Sequence, residues 1–168
     1  MKDPTRRLIE DQDRRLMTDQ DRRLVVLLRL TTDAIVKVRR KELRRKYGVS
    51  IEEWGALSII RRIGDKATPA EIARWMFREH HSVVALLNRM EKKGLVKKTR
   101  DLDRKNMMRV RLTEKGEQVY ITSAKASAHR GVVSDLSKDE RRQLIQYLTI
   151  LRDRALEKLG IDYKPDFP

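Results

Sequence analysis

Residues 94–116, GLVKKTRDLDRKNMMRVRLTEKG, read as a helix stop, a hairpin and a helix start in succession. Gly94 is the kind of residue that ends a helix, because it tolerates the left-handed conformation of the stop. Two basic segments follow, on either side of a short charged turn. Leu95, Val96, Val110 and Leu112 supply their apolar positions, and Lys97, Lys98, Arg100, Arg109 and Arg111 their charge. Thr113-Glu114-Lys115 then opens another helix. The pattern predicts a small exposed β-hairpin whose surface is cationic.

The segments upstream predict what the hairpin is attached to. Ser50-Ile51-Glu52-Glu53 has the S-x-x-E form of a capping box and starts a helix that Gly64 stops near Ile63. Thr68-Pro69-Ala70-Glu71 repeats the signal, with an N-cap, proline at the first helical position and acid in the first turn. That helix is short, to about Met76. Phe77-Arg78-Glu79 is a turn, and a further helix covers about His80 to Lys93. Val83, Leu86, Leu87 and Met90 fall on one of its faces, with His81, Ser82, Ala85, Asn88, Arg89 and Lys92 on or beside the other. Two short helices joined by a tight turn, then a hairpin, make a winged helix-turn-helix. The expected fold class is mainly α with a small β-wing.

Helices flank this unit on both sides. Thr5 to about Lys46 reads as one long helix ended by Gly48, too long to be buried by one small domain, and therefore expected to pack against a second subunit. It opens on an eight-residue repeat, RRLIEDQD from Arg6, RRLMTDQD from Arg14 and RRLVVLLR from Arg22. Its leucines drift by roughly 80° per repeat, so they form no straight heptad seam. Residues 1–15 read equally well as a solvated, frayed extension. After the hairpin, one helix runs from Thr113 to about His129. A second begins at a Ser137/Glu140 capping box and ends at Gly160. The organisation expected is 1–48 as an N-terminal dimerisation helix, 49–112 as the winged helix-turn-helix, and 113–168 as C-terminal dimerisation helices and tail.

Composition narrows the function. The chain has 168 residues and a formal net charge of +15 at pH 7. Such an excess points to a polyanionic partner, most often nucleic acid. Residues 78–115 hold 12 Lys or Arg against 5 Asp or Glu, a net charge of +7. The absence of cysteine excludes disulfides, thiolate catalysis and cysteine-based zinc sites. No apolar run approaches a membrane span, the start is too acidic for a signal peptide, and a cytoplasmic protein is expected. His80 and His81 are sequence neighbours that point about 100° apart on a helix, poor geometry for chelating one metal. His81-Ser82 lacks the elbow and oriented carboxylate of a hydrolase, and no glycine-rich phosphate loop is present. No enzyme and no cofactor is expected. Trp54, Trp75, Met76, Met90, Met107 and Met108 read as packing residues.

Residues 22–159 resemble the MarR-type bacterial transcription regulators. TPAEIARWMFREHHSVVALLNRMEKKGLVKK, from Thr68, fits that family's helix-turn-helix without a gap. DRKNMMRVRLTEKG, from Asp103, is similar to its D-x-R-x-x-x-V-x-L-T-x-x-G wing signature, and the flanking helices match its dimer layout. The tip is one residue longer than the signature: Val110 falls in place counted back from Leu112-Thr113, and Arg104 then stands at the aspartate. Phe77 stands where many members have a turn glycine, and Ala85 where some have a base-reading arginine. The resemblance implies a homodimer on a pseudo-palindromic DNA operator, usually repressing. It also implies a small aromatic or anionic effector bound between the dimer helices and the DNA-binding domain, where Trp54 and Trp75 could line the pocket.

The expected DNA-binding residues are His80, His81, Ser82, Asn88 and Arg89 on the recognition helix, and Arg104, Lys105, Asn106 and Arg109 on the wing. Asn88 could bond an adenine edge and Arg89 a guanine edge or a phosphate. Arg104 or Lys105 would enter the adjacent minor groove, with Asp101 and Asp103 orienting the basic side chains or pairing with the neighbouring helix. Two other readings remain from sequence: an architectural protein that binds any nucleic acid by charge, and a protein–protein adaptor that has kept the fold and lost DNA.

Overall fold

The computed structural model describes residues 18–100, 107–125 and 131–162. The elements run α1 (Asp19–Tyr47), α2 (Ile51–Ile63), a 3-10 turn (Gly64–Lys66), α3 (Pro69–Met76), α4 (His80–Lys92), β1 (Val96–Arg100), β2 (Met108–Leu112), α5 (Glu114–Lys125) and α6 (Lys138–Lys158). Among the described residues, six helices around one hairpin follow the expected order. The start of the first helix and the repeat before Thr18, the wing tip, the end of the fifth helix at His129, and the tail after Asp162 lie outside the described residues. The chain divides into two compact units, residues 1–37 and 38–168.

In the first unit, Thr18 caps α1: its hydroxyl accepts the Asp21 N–H at 3.1 Å. Arg29 and Asp33, one turn apart, form an ion pair at 3.2 Å. Leu24, Val25, Val26, Leu27 and Leu30 are all exposed on this part of the helix.

The second unit holds the core. Leu43 of α1 and Leu57 of α2 are buried with Ile72 of α3, Val83, Leu87 and Met90 of α4, and Val96 and Val110 of the wing. The caps read from the sequence are in place. Ser50 and Glu53 bond reciprocally across the first turn of α2, and Ser137 and Glu140 do so for α6. Thr68 accepts the Glu71 N–H ahead of Pro69. The hairpin is antiparallel, with Val96 opposite Leu112 and Arg100 opposite Met108. Its second strand is tied to the turn before α3, where the Val110 N–H donates to the Ala67 carbonyl at 2.9 Å. Trp75, Met76 and Leu112 pack half-buried against the core.

Thr113 and Gly116 explain why the wing is followed by Leu-Thr-x-x-Gly. The Thr113 hydroxyl donates to the Gly94 carbonyl at 2.6 Å and accepts the Gly116 N–H at 3.1 Å, capping α5. The Thr113 N–H donates to the Leu95 carbonyl. A Cβ on Gly116 would overlap that same carbonyl oxygen, which is backbone and cannot swing away. Only glycine lets α5 lie this close to the end of α4. Gly116→Ala should therefore lower stability by about 3 kcal/mol, measured by chemical denaturation at one protein concentration. A loss below about 0.5 kcal/mol, the range of neutral surface changes, would contradict the close approach.

Phe77 ends α3 in the left-handed region, φ 51° and ψ 46°. It is the only non-glycine with positive φ among the described residues, and it stands where the resemblance placed a glycine. The left-handed conformation costs an L residue roughly 1–2 kcal/mol, and β-branching makes it worse. Phe77→Val should thus be less stable than Phe77→Gly by about 1–2 kcal/mol; equal melting temperatures would show that the backbone does not hold this turn.

Candidate nucleic-acid interface

The faces of α4 separate as the sequence predicts. Val83, Leu86, Leu87 and Met90 are buried. His80, His81, Ser82, Ala85, Asn88, Arg89 and Lys92 are exposed. Glu79, at the N-cap, makes no side-chain cap bond, and the first turn holds no acid. The opening N–H groups of α4 thus face outward without a side-chain acceptor, together with the positive end of the helix dipole. Such a terminus suits an anion.

The wing is docked on α4 by one carboxylate. Glu91 Oε1 accepts the Lys98 backbone N–H at 3.0 Å, and Oε2 meets the Lys98 ammonium at 2.8 Å. Lys98 also donates to the Asn88 side-chain oxygen. Lys98 is therefore a strut between wing and helix, although the sequence read it as one more wing charge. Asn88, expected to offer both ends of its amide to a base, has its oxygen engaged and presents its NH2. Arg109 lies half-buried in β2 opposite Thr99. Arg111 pairs with Asp65 at 2.8 Å. Arg104, Lys105 and Asn106 lie outside the described residues. Lys97, Arg100 and Arg89 remain exposed.

A cleft of about 790 Å³ lies between α3, α4 and the wing, lined by Thr68, His80, Val84, Asn88, Lys98 and Met108. A second, of about 460 Å³, lies on the other flank of α4, between the ends of α1 and α2. The helix expected to read DNA thus stands as a ridge between two depressions. Among the described residues no three His, Asp or Glu side chains gather into a metal site.

A buried polar knot joins α1, α2 and α5. Arg39, 2 % exposed, donates to Glu42 at 2.8 Å and to the Ser123 carbonyl at 3.1 Å. Its guanidinium stacks 4.6 Å from the centre of the Trp54 ring, which in turn stacks on Tyr120 at 6.4 Å. Arg39 Nε and Trp54 Nε1 are buried without a hydrogen-bond partner among the described residues. Sequence reading missed this knot, because Arg39 and Glu42 sit in a run of charges that reads as a solvated face.

Comparison with known proteins fits this geometry. Residues 47–105 match the model of the MarR family. Over these residues the chain is a MarR-type winged helix-turn-helix. It is similar to the organohalide-sensing regulator RdhR-CbdbA1625, solved with 2,4-dichlorophenol bound, at 29 % identity and TM-score 0.77, over 90 % of each chain. It is similar to a MarR family protein from Bacillus stearothermophilus at 25 % identity and TM-score 0.66, over 83 % of this chain and 99 % of that one. FabT of Streptococcus pneumoniae, solved in complex with DNA, shares the fold at 20 % identity and TM-score 0.71, over 82 % of this chain and 98 % of FabT. No curated protein sequence matches the chain significantly. MarR-family proteins are transcription regulators, not enzymes, that generally bind DNA as dimers and often respond to effector ligands.

The Glu91–Lys98 strut has a pH signature. The Lys98 side chain, then its backbone N–H, hold the Glu91 carboxyl below its ordinary 4.5. A depressed carboxylate contributes stability above its unfolded pKa and loses it as pH falls through the folded value. The stability difference between wild type and Glu91→Gln should be constant above pH 4.5 and shrink below it. An NMR titration of Glu91 with a midpoint at or above 4.5 would contradict the strut.

Proposed function

We propose that this MarR-family regulator acts as a homodimer on a pseudo-palindromic operator, usually as a repressor, in the cytoplasm. Two α4 helices, related by a two-fold axis, would enter successive major grooves about one helical turn apart. The observation that carries this reading is the outer face of α4: an uncapped first turn with His80, His81 and Ser82, then Asn88 and Arg89, beside a cationic wing. Phosphates suit the open N–H groups, and base edges suit the side chains. Arg104 or Lys105 at the wing tip, with Asn106 and Arg109 near it in sequence, would serve the minor groove.

Two exposed apolar rows support the dimer. On α6, Leu144, Tyr147, Leu148 and Leu151 are 40 %, 55 %, 43 % and 40 % exposed at helical spacing. On the first unit, Leu24, Leu27 and Leu30 form another. Rows of this size on exposed helices mark surfaces that a partner covers, and a second copy would cover both. An effector with an aromatic ring and an acidic oxygen suits the Arg39–Trp54–Tyr120 knot. It would offer Arg39 Nε and Trp54 Nε1 the acceptor they lack.

The first test is competition binding to DNA flanking the protein's own gene, against random duplex. Binding should survive random competitor and weaken at least tenfold in Arg104→Ala/Lys105→Ala. Equal displacement by random DNA would favour an architectural protein, which the +15 charge alone could support; no binding at low salt would favour an adaptor. The dimer is tested separately. Tyr147→Lys/Leu148→Lys should sediment as a monomer at concentrations where wild type is dimeric, and unchanged sedimentation would remove α6 from the interface.

A further inference from the structure

The sequence concentrates cations in the hairpin region, yet the C-terminal third of α1 carries nearly as dense a set: Arg40, Lys41, Arg44, Arg45 and Lys46 follow one another around the helix. All five are exposed. Helical phase divides them. Leu43 and Arg39 face the core. At about 100° per residue, Arg40 and Arg44 then share one flank, while Lys41 and Arg45 point away from the core. Lys46 is paired with Glu42.

The flank of Arg40 and Arg44 does not face open solvent alone. Arg44 lines the 460 Å³ cleft with Ser50, Glu52, Arg78, Ser82 and Arg89. Ser82 and Arg89 belong to the outer face of α4, and Arg78 to the turn before it. Arg40 and Arg78 both lie close enough to Glu52 to help lower its carboxyl, which is held down first by the Ser50 hydroxyl. Lys93, which also lines the cleft, is paired with Glu53 at 2.8 Å, and Glu53 is engaged in the cap of α2. Of the cleft's two carboxylates Glu52 therefore remains, near Arg40 and Arg78, while Arg44 and Arg89 line the same cleft. None of these four arginines forms an ion pair among the described residues.

We propose that Arg40 and Arg44 of α1 join Arg78 and Arg89 in a phosphate track, holding one DNA backbone beside the groove that α4 enters. The track lies on the side of α4 away from the wing. The recognition helix is thus flanked by two cationic supports, wing on one side and α1 on the other. It rests on the reading of α4 as a DNA-binding helix. The ligand is a run of nucleic-acid phosphates, because Arg44, Arg78 and Arg89 reach the cleft from three separate segments, α1, the turn before α4 and α4 itself, and Arg40 stands one turn before Arg44 on α1. The track carries affinity, not base discrimination.

The test uses the full-length protein, a duplex selected from a random pool by wild type, and the slope of log affinity against log salt. Each phosphate that the protein ceases to neutralise makes that slope shallower by about 0.9. Arg40→Gln/Arg44→Gln should reduce it by about 2, so that between 50 and 200 mM salt wild type loses about tenfold more affinity than the variant. The preference for the selected duplex over a scrambled one should stay as in wild type. Arg40→Lys/Arg44→Lys should keep the slope. Lys41→Gln/Arg45→Gln, the same charge change on another face, should leave it nearly unchanged, and thermal melts would confirm that all variants fold. An unchanged slope in Arg40→Gln/Arg44→Gln would overturn the track. So would an equal fall in both Gln pairs, which would mean overall charge alone. Saturable binding of inorganic phosphate by wild type that Arg40→Gln/Arg44→Gln loses, with DNA binding intact, would also overturn it, in favour of a small-anion pocket. A wild type that selects and binds no DNA would instead remove the reading of α4 on which the track rests.

Discussion

The contact between the Leu95 carbonyl and the first turn of α5 governs the geometry of this domain. One oxygen accepts the Thr113 N–H and, at the same time, forbids a side chain at Gly116. The chain leaves α4, runs out through β1, returns through β2 and must come back to within van der Waals reach of where it left. That closure sets the hairpin's length and register. It holds Val96 and Leu112 opposite each other and puts Val96 and Val110 in the core beneath α4. The wing is consequently not a free arm. Its base is fixed by backbone bonds to Thr113 and Ala67, and its flank by the Glu91–Lys98 strut. Any motion of α4 relative to α5 is carried into the wing.

Local features of this architecture were legible in the sequence, and features that join distant segments were not. The caps at Ser50, Thr68 and Ser137 are each set by residues within one helical turn, so a four-residue pattern suffices to find them. The buried face of α4 follows from apolar period alone. Phe77 in a left-handed turn was visible only as a mismatch, because a bulky residue can take that conformation at an energetic cost that no local pattern announces. The role of Lys98 could not be read. It meets Glu91 and Asn88 only because the chain reverses at Gly94, and no periodicity spans that reversal. Arg39 and Glu42 were hidden for the opposite reason. They lie among exposed charges, and the groups that Arg39 meets, Trp54 and the Ser123 carbonyl, come from other helices.

Arg39 shows why a buried charge belongs at this junction. Its guanidinium donates to Glu42 Oε2 and the Ser123 carbonyl and stacks on an aromatic face, which together replace much of the water it lost. Two donors of the knot, Arg39 Nε and Trp54 Nε1, are left without acceptors among the described residues. A buried network that is incompletely satisfied is the part of a core most readily rearranged by an added acceptor. It also links α1 to α5, the helix whose first turn fixes the wing. A change in the knot therefore has a short mechanical path to the wing: α5, the Leu95 carbonyl, then the hairpin.

The distribution of polar groups on α4 bears on how such a domain would divide affinity from specificity. Ala85 offers only a methyl on the exposed face of α4. Asn88 has its oxygen held by Lys98. Under the proposed function, that leaves a short list of side chains to discriminate bases: His80, His81, Ser82, the Asn88 amide and Arg89. Cations that can meet phosphates are far more numerous, and they stand on both flanks of the helix. Under the proposed function, most of the binding free energy would come from the backbone and vary steeply with salt. Sequence preference would rest on a few hydrogen bonds, each worth about 1–3 kcal/mol, and on how readily a given sequence adopts the groove widths that two flanking supports require. A ridge held between a wing and an α1 flank would favour duplexes whose phosphates fit both at once, so shape would contribute to selection where base contacts are few.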